Sequence, residues 1–163
     1  MQINHLYEAA ELKRYQNWKK PSVQTLKEDY EEFKHKEGTR WENRARSILM
    51  RWPVFTDFED FKTAIGEAEV KEIDWGFIRK VDGISVTTSI GSLKSLVSTY
   101  STPRDVNRII SGFKNEEQIP MPIILKGEKG MWMMSGNTRT NAALILGYKP
   151  KVIIINASQR YQG

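Results

Sequence analysis

The hydrophobic pattern in the C-terminal half of the chain predicts two strands, a helix and a third strand. Residues 119–126 form an apolar run, residues 127–130 contain the glycines of a tight turn, and residues 131–134 form a second apolar run. Residues 151–155 are again apolar and predict a third strand. Between them lies a predicted helix that ends near Gly147, with an apolar face formed by Ala142, Ala143, Leu144 and Leu146.

The first 66 residues follow the periodicity of helices. Helical patterns cover residues 6–18, 23–35, 41–50 and 58–65, and no stretch among them alternates like a strand. Ser22 is a candidate N-cap for the second pattern. Thr39 with Glu42, and Thr56 with Glu59, have the spacing of capping boxes before the third and fourth patterns.

These patterns divide the chain into three parts. We predict a helical N-terminal region rich in basic and aromatic residues (1–66), a sheet domain (67–157) and a polar tail (158–163). The N-terminal region is expected to pack on the sheet domain because no flexible linker separates the two. In the sheet domain, residues 84–92 predict a strand, residues 93–100 predict a helix, and Thr102 is a candidate N-cap for a further helix. The predicted fold class is α+β, with a small mixed sheet and packed helices.

Composition limits the chemistry that the chain can perform. The chain has 163 residues, of which 39% are hydrophobic and 28% charged, and it contains no run of about 18 apolar residues that could cross a membrane. Its first residues lack the apolar core of a signal peptide, so we expect a cytoplasmic protein. Cysteine is absent, and the only histidines, His5 and His35, are far apart in sequence. Any metal is therefore expected to be a hard ion with oxygen ligands.

The junction between the second strand and the following helix has the features of an anion site. It reads Ser135-Gly136-Asn137-Thr138-Arg139-Thr140. The first turn of a helix leaves backbone N–H groups without partners, and the helix dipole favours a negative charge there. Gly136 would allow close approach to the backbone, Asn137 or Thr138 could cap the helix, and Arg139 adds a fixed positive charge. An ordinary strand-to-helix turn with a solvated arginine is the structural alternative.

In context, residues 69–156 resemble the ParB/sulfiredoxin-like fold. Members of this family carry a Gly-x-x-Arg turn after a proline-rich strand and before an alanine-rich helix. The matching residues here are Pro120, Pro122 and Ile123 in the strand, Gly136 and Arg139 in the turn, and Ala142 and Ala143 in the helix. Each piece is common, but their order and spacing are not.

The resemblance implies a nucleotide site. In the family the turn binds nucleotide phosphates, which implies that role for Ser135, Gly136, Asn137, Thr138, Arg139 and Thr140. The helix before the proline-rich strand contributes polar side chains to the same pocket, and Arg104, Asn107 and Ser111 form such a stripe here at positions i, i+3 and i+7. Sulfiredoxin-like members use a cysteine in the turn, and its absence excludes that thiol chemistry here. Other relatives are small kinases.

A kinase needs positioning, charge neutralisation and a base near the accepting hydroxyl. The resemblance implies ATP or another nucleoside phosphate as donor, Mg²⁺ as cofactor, and Arg139 as a catalytic cation. For the carboxylate, Glu69 is our first candidate as base or Mg²⁺ ligand and Glu67 is the second, and a solvated strand edge is the structural alternative. The acceptor hydroxyl could belong to a metabolite or to a hydroxymethylated base in DNA. The other functional hypotheses are a DNA-binding nucleotide switch and a nuclease.

The charge balance makes a polyanionic partner worth testing. The chain carries 25 Lys and Arg against 20 Asp and Glu, which gives a formal net charge of +5. Basic residues alternate with aromatic residues in the N-terminal region, an arrangement that could bind a phosphate backbone and stack on bases. The candidate nucleic-acid contacts are Arg40, Trp41, Arg44, Arg51 and Trp52. The sequence does not indicate an oligomeric state.

Overall fold

The computed structural model describes residues 11–87, 89–100 and 104–160 and has an α+β fold. Within these ranges the helices are α1 (Val23–Lys34), α2 (Arg40–Leu49), α3 (Phe58–Glu67), α4 (Trp75–Ile78), α5 (Ile90–Val97), α6 (Val106–Lys114) and α7 (Asn137–Ile145). The strands are β1 (Trp18–Lys19), β2 (Glu69–Glu72), β3 (Val81–Asp82), β4 (Ile119–Pro120), β5 (Ile123–Lys126), β6 (Met131–Ser135) and β7 (Lys151–Asn156). A short 3₁₀ helix, Ala157–Gln159, follows β7.

The main sheet is mixed and has five strands in the order β2-β7-β5-β6-β3. Strands β5 and β6 form an antiparallel hairpin, β7 lies parallel to β5, and β2 is antiparallel to β7 at one edge. Strands β1 and β4 form a separate parallel pair. The α+β class and the hairpin predicted from the sequence are therefore confirmed.

Alternating side chains along the central strands build one core on each face of the sheet. Ile123 and Leu125 of β5 pack with α1, α2 and α3, in a cluster that includes Phe33, Leu49 and Phe61. Ile124, between them in sequence, faces the opposite side and packs with Leu144 of α7. This period of two is the one expected for a strand covered on both faces. Because α1, α2 and α3 share a core with the sheet, the N-terminal region packs on the sheet domain as predicted.

The first predicted helix is wrong over its described part. Residues 11–17 form no helix, and Trp18 starts β1, which pairs with Ile119 in β4. The N–H of Lys13 donates to the carbonyl of Gly147 at 2.8 Å, so this segment lies against the end of α7. Its apolar residues are spaced like those of a helical face, but they pack on the protein from an extended backbone. Residues 1–10 lie outside the described ranges.

The next three helices are confirmed, with shifts at their caps. Ser22 caps α1, because its side chain accepts a hydrogen bond from the N–H of Thr25. Thr39 caps α2, although Glu42 accepts from the N–H of Gly38 instead of closing a capping box with Thr39. Helix α3 begins one residue later than the predicted box implied. Asp57 is its N-cap and accepts from the N–H of Asp60 at 2.9 Å.

Three other predicted boundaries also change. The apolar run at 119–126 forms two strands instead of one. Its first part, β4, pairs with β1, and its second part, β5, belongs to the main sheet. Residues 84–87 are not a strand, and α5 begins at Ile90. Helix α6 begins at Val106 with Asp105 as its N-cap, so Thr102, which lies outside the described ranges, is not the cap. No helix in the described part of the chain has the length and apolar character needed to cross a membrane.

Candidate phosphate-binding site

The turn at residues 135–140 links β6 to α7 through Gly136. Gly136 has φ of +98°, in the region that favours glycine. A Cβ atom at this position would lie 2.6 Å from Cβ and 2.8 Å from Cα of Pro122. The glycine is therefore required both by its backbone conformation and by its contact with the proline-rich segment. These two constraints add to the access for a ligand that is expected at this position from the sequence.

The start of α7 has no side-chain cap. Gly136 is the N-cap residue, and the first intrahelical bond runs from the N–H of Thr140 to the carbonyl of Gly136 at 2.9 Å. The N–H groups of Asn137, Thr138 and Arg139 consequently have no acceptor within the helix. Three uncapped N–H groups at the positive end of a nine-residue helix are the arrangement that binds a phosphate or carboxylate.

Asn137 and Asn141 use their side chains to hold the segment before α5. The Oδ1 atom of Asn137 accepts from the N–H of Ser85 at 3.1 Å, and its Nδ2 atom donates to the hydroxyl of Tyr100 at 2.8 Å. The Oδ1 atom of Asn141 accepts from the N–H of Thr87 at 2.7 Å. The expectation that the side chain of Asn137 or Thr138 caps α7 is therefore wrong. The side chains of Asn137 and Asn141 fix the wall of the site, and Asn137 offers a ligand its backbone N–H.

The two threonines of the turn face the protein interior. Thr138 is buried and Thr140 is fully buried, and the Oγ1 atom of Thr140 has no hydrogen-bond partner among the described residues. Thr138 can therefore contribute its backbone N–H to an anion, but its side chain is covered. The N–H of Thr140 is already bonded within α7.

The side chain of Arg139 folds back beneath the turn. Its Nε atom donates to the carbonyl oxygen of Pro120 at 2.9 Å, which fixes the plane of the guanidinium group. Its Nη2 atom is buried and has no hydrogen-bond partner in the described ranges. Burial lowers the pKa of Arg139, and the nearby Arg104 lowers it further, whereas Asp29 and Glu32 act in the opposite direction. Arg139 is thus a desolvated cation with unused donor capacity.

The carboxylate beside Arg139 comes from the N-terminal region. Asp29 in α1 is 7% exposed, and its Oδ2 atom is buried without a hydrogen-bond partner among the described residues. Burial raises the pKa of Asp29, while the charge of Arg139 and the hydroxyl of Ser135 oppose that rise. A buried carboxylate with an unpartnered oxygen, near an arginine whose Nη2 atom is also buried and unpartnered among the described residues, is a typical feature of a functional site.

A β-bulge brings Ser135 to the same side of the sheet as Asp29. Ile123 of β5 pairs with Ser135, but Ile124 pairs with Met133, so Met134 is an extra residue in β6. Residues directly opposite in an antiparallel pair share a face, and Ile123 faces α1. The bulge therefore directs Ser135 toward α1 and the Asp29 carboxylate.

Sequence reasoning missed Asp29, although the sequence contains a signal for it. The four buried residues of α1 are Leu26, Asp29, Tyr30 and Phe33, at positions i, i+3, i+4 and i+7. An acidic residue within the apolar stripe of an amphipathic helix must be placed against a partner in the interior. The position of Asp29 within this apolar stripe was therefore the clue in the sequence.

Arg104 lies at the border of the site. It forms an ion pair with Glu32, three residues after Asp29 on α1, and its charge acts on Arg139. An open cavity of about 350 Å³ adjoins it, lined by Lys94, Val97, Ser98, Arg104, Asp105, Val106 and Asn107. Of the predicted polar stripe, Arg104 and Asn107 thus line this cavity. Ser111 is exposed, and its hydroxyl accepts from the side-chain amide of Asn115 at 3.2 Å.

Glu67 and Glu69 are not brought to the turn. Glu69 lies in edge strand β2, where it pairs with Ile154, and β7 and β5 separate β2 from β6. Three strand spacings correspond to about 14 Å across the sheet. Both glutamates are exposed, and no group of three or more acidic or histidine side chains in the described ranges could hold a metal ion. The structure therefore places Asp29, and not Glu67 or Glu69, beside the turn.

The candidate nucleic-acid residues fall into two groups. Arg40, Trp41 and Arg44 lie on the exposed surface of α2, where the guanidinium of Arg40 stacks 4.9 Å from the Trp41 ring and Arg44 pairs with Asp82 at 3.1 Å. Arg51 instead donates from Nε to the carbonyl of Ser158 at 2.9 Å.

Trp52 belongs to the core rather than to the surface. It is buried and packs against Phe33, with ring centroids 4.7 Å apart. The expectation that Trp52 stacks on bases is therefore wrong, because its ring already fills the interior.

Comparison with known proteins adds no assignment to this geometry. No protein-family model matches the chain, and no curated protein or solved structure gives a significant match. The resemblance to the ParB/sulfiredoxin-like fold therefore stays a prediction that rests on the residues of the strand, the turn and the helix.

Proposed function

We propose that this protein binds a nucleoside phosphate at the start of α7 and transfers its terminal phosphoryl group to a hydroxyl. The observation that carries the proposal is the combination of an uncapped helix start with Arg139, whose Nη2 atom is buried and has no partner in the described ranges. Backbone N–H groups and an arginine are the groups that neutralise the charge of a transferring phosphoryl group. Phosphoryl transfer in particular is suggested by the resemblance to small kinases.

The cavity beside Arg104 is the proposed place for the nucleoside. Its volume of about 350 Å³ lies within the range of small-molecule pockets. Arg104 borders this cavity and also acts on Arg139, so a ligand could occupy the cavity and place its phosphates over the turn. Which base the nucleotide carries is left to the binding experiment.

Mg²⁺ is proposed as part of the nucleotide rather than as an ion held by the chain. The described ranges contain no cluster of three or more metal-binding side chains. Mg²⁺ normally keeps several waters and binds through substrate phosphates with one or two carboxylates. The lack of such a cluster in the described ranges is therefore compatible with a Mg²⁺–nucleotide complex. When bound, the ion would supply positive charge to the phosphates.

Calorimetry of ATP, GTP and CTP binding in the presence of Mg²⁺ tests the proposal. We expect at least one nucleotide to bind, and we expect Arg139→Ala to weaken its binding roughly 10- to 100-fold, because a charged hydrogen bond contributes about 1.5–3 kcal/mol. Arg108→Gln is the matched control, since Arg108 of α6 is exposed and pairs with Glu117, which follows that helix. Failure of all three nucleotides to bind the folded native protein would contradict the proposal.

Contact with DNA is a second proposal, supported by the exposed Arg40, Trp41 and Arg44 on α2. If DNA binds there, its affinity should fall as salt is raised, because each neutralised phosphate releases counterions. The double substitution Arg40→Gln and Arg44→Gln should reduce both the affinity and the salt dependence. Affinity that does not change with this substitution would exclude α2 as the contact surface.

A further inference from the structure

The carboxylate of Asp29 is a charged group of the site that the proposed phosphate binding does not use. It cannot bind a phosphate directly, because both carry negative charge. Its Oδ2 atom is nevertheless buried without a partner among the described residues, so a group that enters the site with a donor hydrogen would find a free acceptor there. A hydroxyl is such a group.

The position of Asp29 also matches that of a base for phosphoryl transfer. Asp29 lies on the buried face of α1, which packs on the sheet face toward which Ser135 points at the end of β6. The charge of Arg139, one of the three residues with uncapped N–H groups at the start of α7, acts on the Asp29 carboxylate. It therefore lies on the side of the turn that faces α1. The predicted bases Glu67 and Glu69 lie in or before β2, across the sheet.

We propose that Asp29 is the general base of this site and accepts the proton of the attacking hydroxyl. In this step the hydroxyl oxygen forms a bond to the terminal phosphorus, and the bond from that phosphorus to the bridging oxygen breaks. The bridging oxygen keeps the electron pair and leaves with the nucleoside diphosphate, while the hydroxyl proton moves to the Asp29 carboxylate. The inference rests on the proposed function, which supplies the nucleotide.

The surroundings of Asp29 suit this role. Burial raises its pKa, which makes the carboxylate a stronger proton acceptor than an exposed aspartate. The charged groups that act on it are Arg139 from α7, and Glu28 and Glu32 from its own helix. The charge of Arg139 keeps the pKa of Asp29 from rising further.

The test compares Asp29→Asn with two matched carboxylate variants. Glu31→Gln changes an exposed carboxylate on the same helix that is not among the charges acting on Asp29, and Glu69→Gln changes the base expected from sequence. For each protein, nucleotide affinity is measured by calorimetry, and the release of ADP from ATP is followed from pH 5 to pH 9 with water as the acceptor. Parallel reactions offer DNA containing hydroxymethylated pyrimidines as the acceptor.

We expect Asp29→Asn to retain nucleotide binding within about tenfold and to lose about 10²- to 10⁴-fold in turnover, with loss of the acid limb of the pH profile. Glu31→Gln and Glu69→Gln should behave like the native protein. Native-like turnover and an unchanged acid limb in Asp29→Asn would overturn the assignment while leaving the proposed function intact. If the native protein binds no nucleotide, the proposed function fails and the assignment fails with it.

Discussion

The carboxylate of Asp29 in α1 is buried, and it lies near enough to the partly buried Arg139 of α7 for the charge of each group to act on the pKa of the other. Despite this, the Oδ2 atom of Asp29 and the Nη2 atom of Arg139 both lack hydrogen-bond partners among the described residues. Burial raises the pKa of Asp29 and lowers the pKa of Arg139, and both shifts favour the uncharged form of the group. Where these two parts of the chain meet, the burial of Asp29 outweighs the opposing effects of Arg139 and Ser135 on its pKa.

The first prediction follows from the direction of the Asp29 shift. Because its pKa is raised above the ordinary value of 3.8, the folded protein binds this proton more tightly than the unfolded chain does. Stability should therefore fall as the pH rises from about the ordinary value through the folded-state pKa. Asp29→Asn should raise Tm at pH 7 and remove this component of the pH dependence.

Thermal unfolding between pH 3 and pH 8 checks the Asp29 prediction. The native protein and Asp29→Asn should have similar Tm values at the acid end and should diverge toward neutral pH. Glu31→Gln, a change of an exposed carboxylate on the same helix, should follow the native curve throughout. A lower Tm for Asp29→Asn at pH 7 would show instead that the ionised pair stabilises the fold.

The second prediction concerns the glycine of the turn. Gly136→Ala places a Cβ atom 2.6 Å from Cβ of Pro122 at a φ of +98°. Gly147→Ala is a matched control, because Gly147 has φ of +84° but no atom lies within 4 Å of its added Cβ. Gly147→Ala should lower the free energy of unfolding by about 1–2 kcal/mol. Gly136→Ala should lose about 1–3 kcal/mol more because of the contact with Pro122.

Urea unfolding of both glycine variants measures this difference. Equal losses would mean that Pro122 moves away without cost and does not constrain the turn. The same variants can be tested for nucleotide binding, which should weaken in Gly136→Ala only, because that residue precedes the uncapped N–H groups of α7.

Periodicity predicted the parts of the fold that lie in regular, two-sided packing. Strand β7 and the β5–β6 hairpin follow from apolar runs bounded by glycine, and α7 follows from its alanine-rich face. Its C-terminus also follows, since Gly147 has positive φ and the N–H of Tyr148 donates to the carbonyl of Ala143 at 2.8 Å. The helix predicted before β1 is wrong because the spacing of apolar residues alone does not distinguish a helix from extended backbone that packs on two elements.

The sequence predicted the turn of the site but not the distant side chain that lies beside it. Residues 135–140 are contiguous, so local chemistry was enough to identify an anion site at the start of a helix. The Asp29 carboxylate is more than 100 positions from Arg139 in sequence, and the two meet only because α1 covers the sheet face toward which the bulge in β6 directs Ser135. Glu69 was favoured because it is close in sequence to the predicted domain, but strand order places it at an edge.

The third prediction tests how closely the N-terminal region packs on the β5–β6 turn. A Cβ atom on Gly127 would lie 2.3 Å from Cα of Leu49, at the end of α2. Gly127→Ala should therefore lower the free energy of unfolding by about 1–3 kcal/mol or more, since backbone must move. Gly130→Ala is the control, because its Cβ would meet only the end of the Ile48 side chain, at 3.2 Å.

Equilibrium unfolding in urea distinguishes the two variants of the β5–β6 turn. Gly130→Ala should lose less stability than Gly127→Ala, because a side chain can rotate where a backbone cannot. Comparable losses would indicate that the end of α2 is free to shift away from the turn.

The fourth prediction separates the two tryptophans that the sequence grouped together. Trp52 is buried against Phe33, so Trp52→Ala should lower the free energy of unfolding by about 3–5 kcal/mol. Trp41 is 39% exposed, and Trp41→Ala should lose about 1 kcal/mol or less. If α2 contacts DNA, Trp41→Ala should also weaken single-stranded DNA binding by about 1–3 kcal/mol, because stacking on an exposed ring is lost. DNA affinity that is unchanged in Trp41→Ala at low salt would mean that the Trp41 ring does not contact DNA and only packs on Trp132. The centroids of these two rings are 6.4 Å apart.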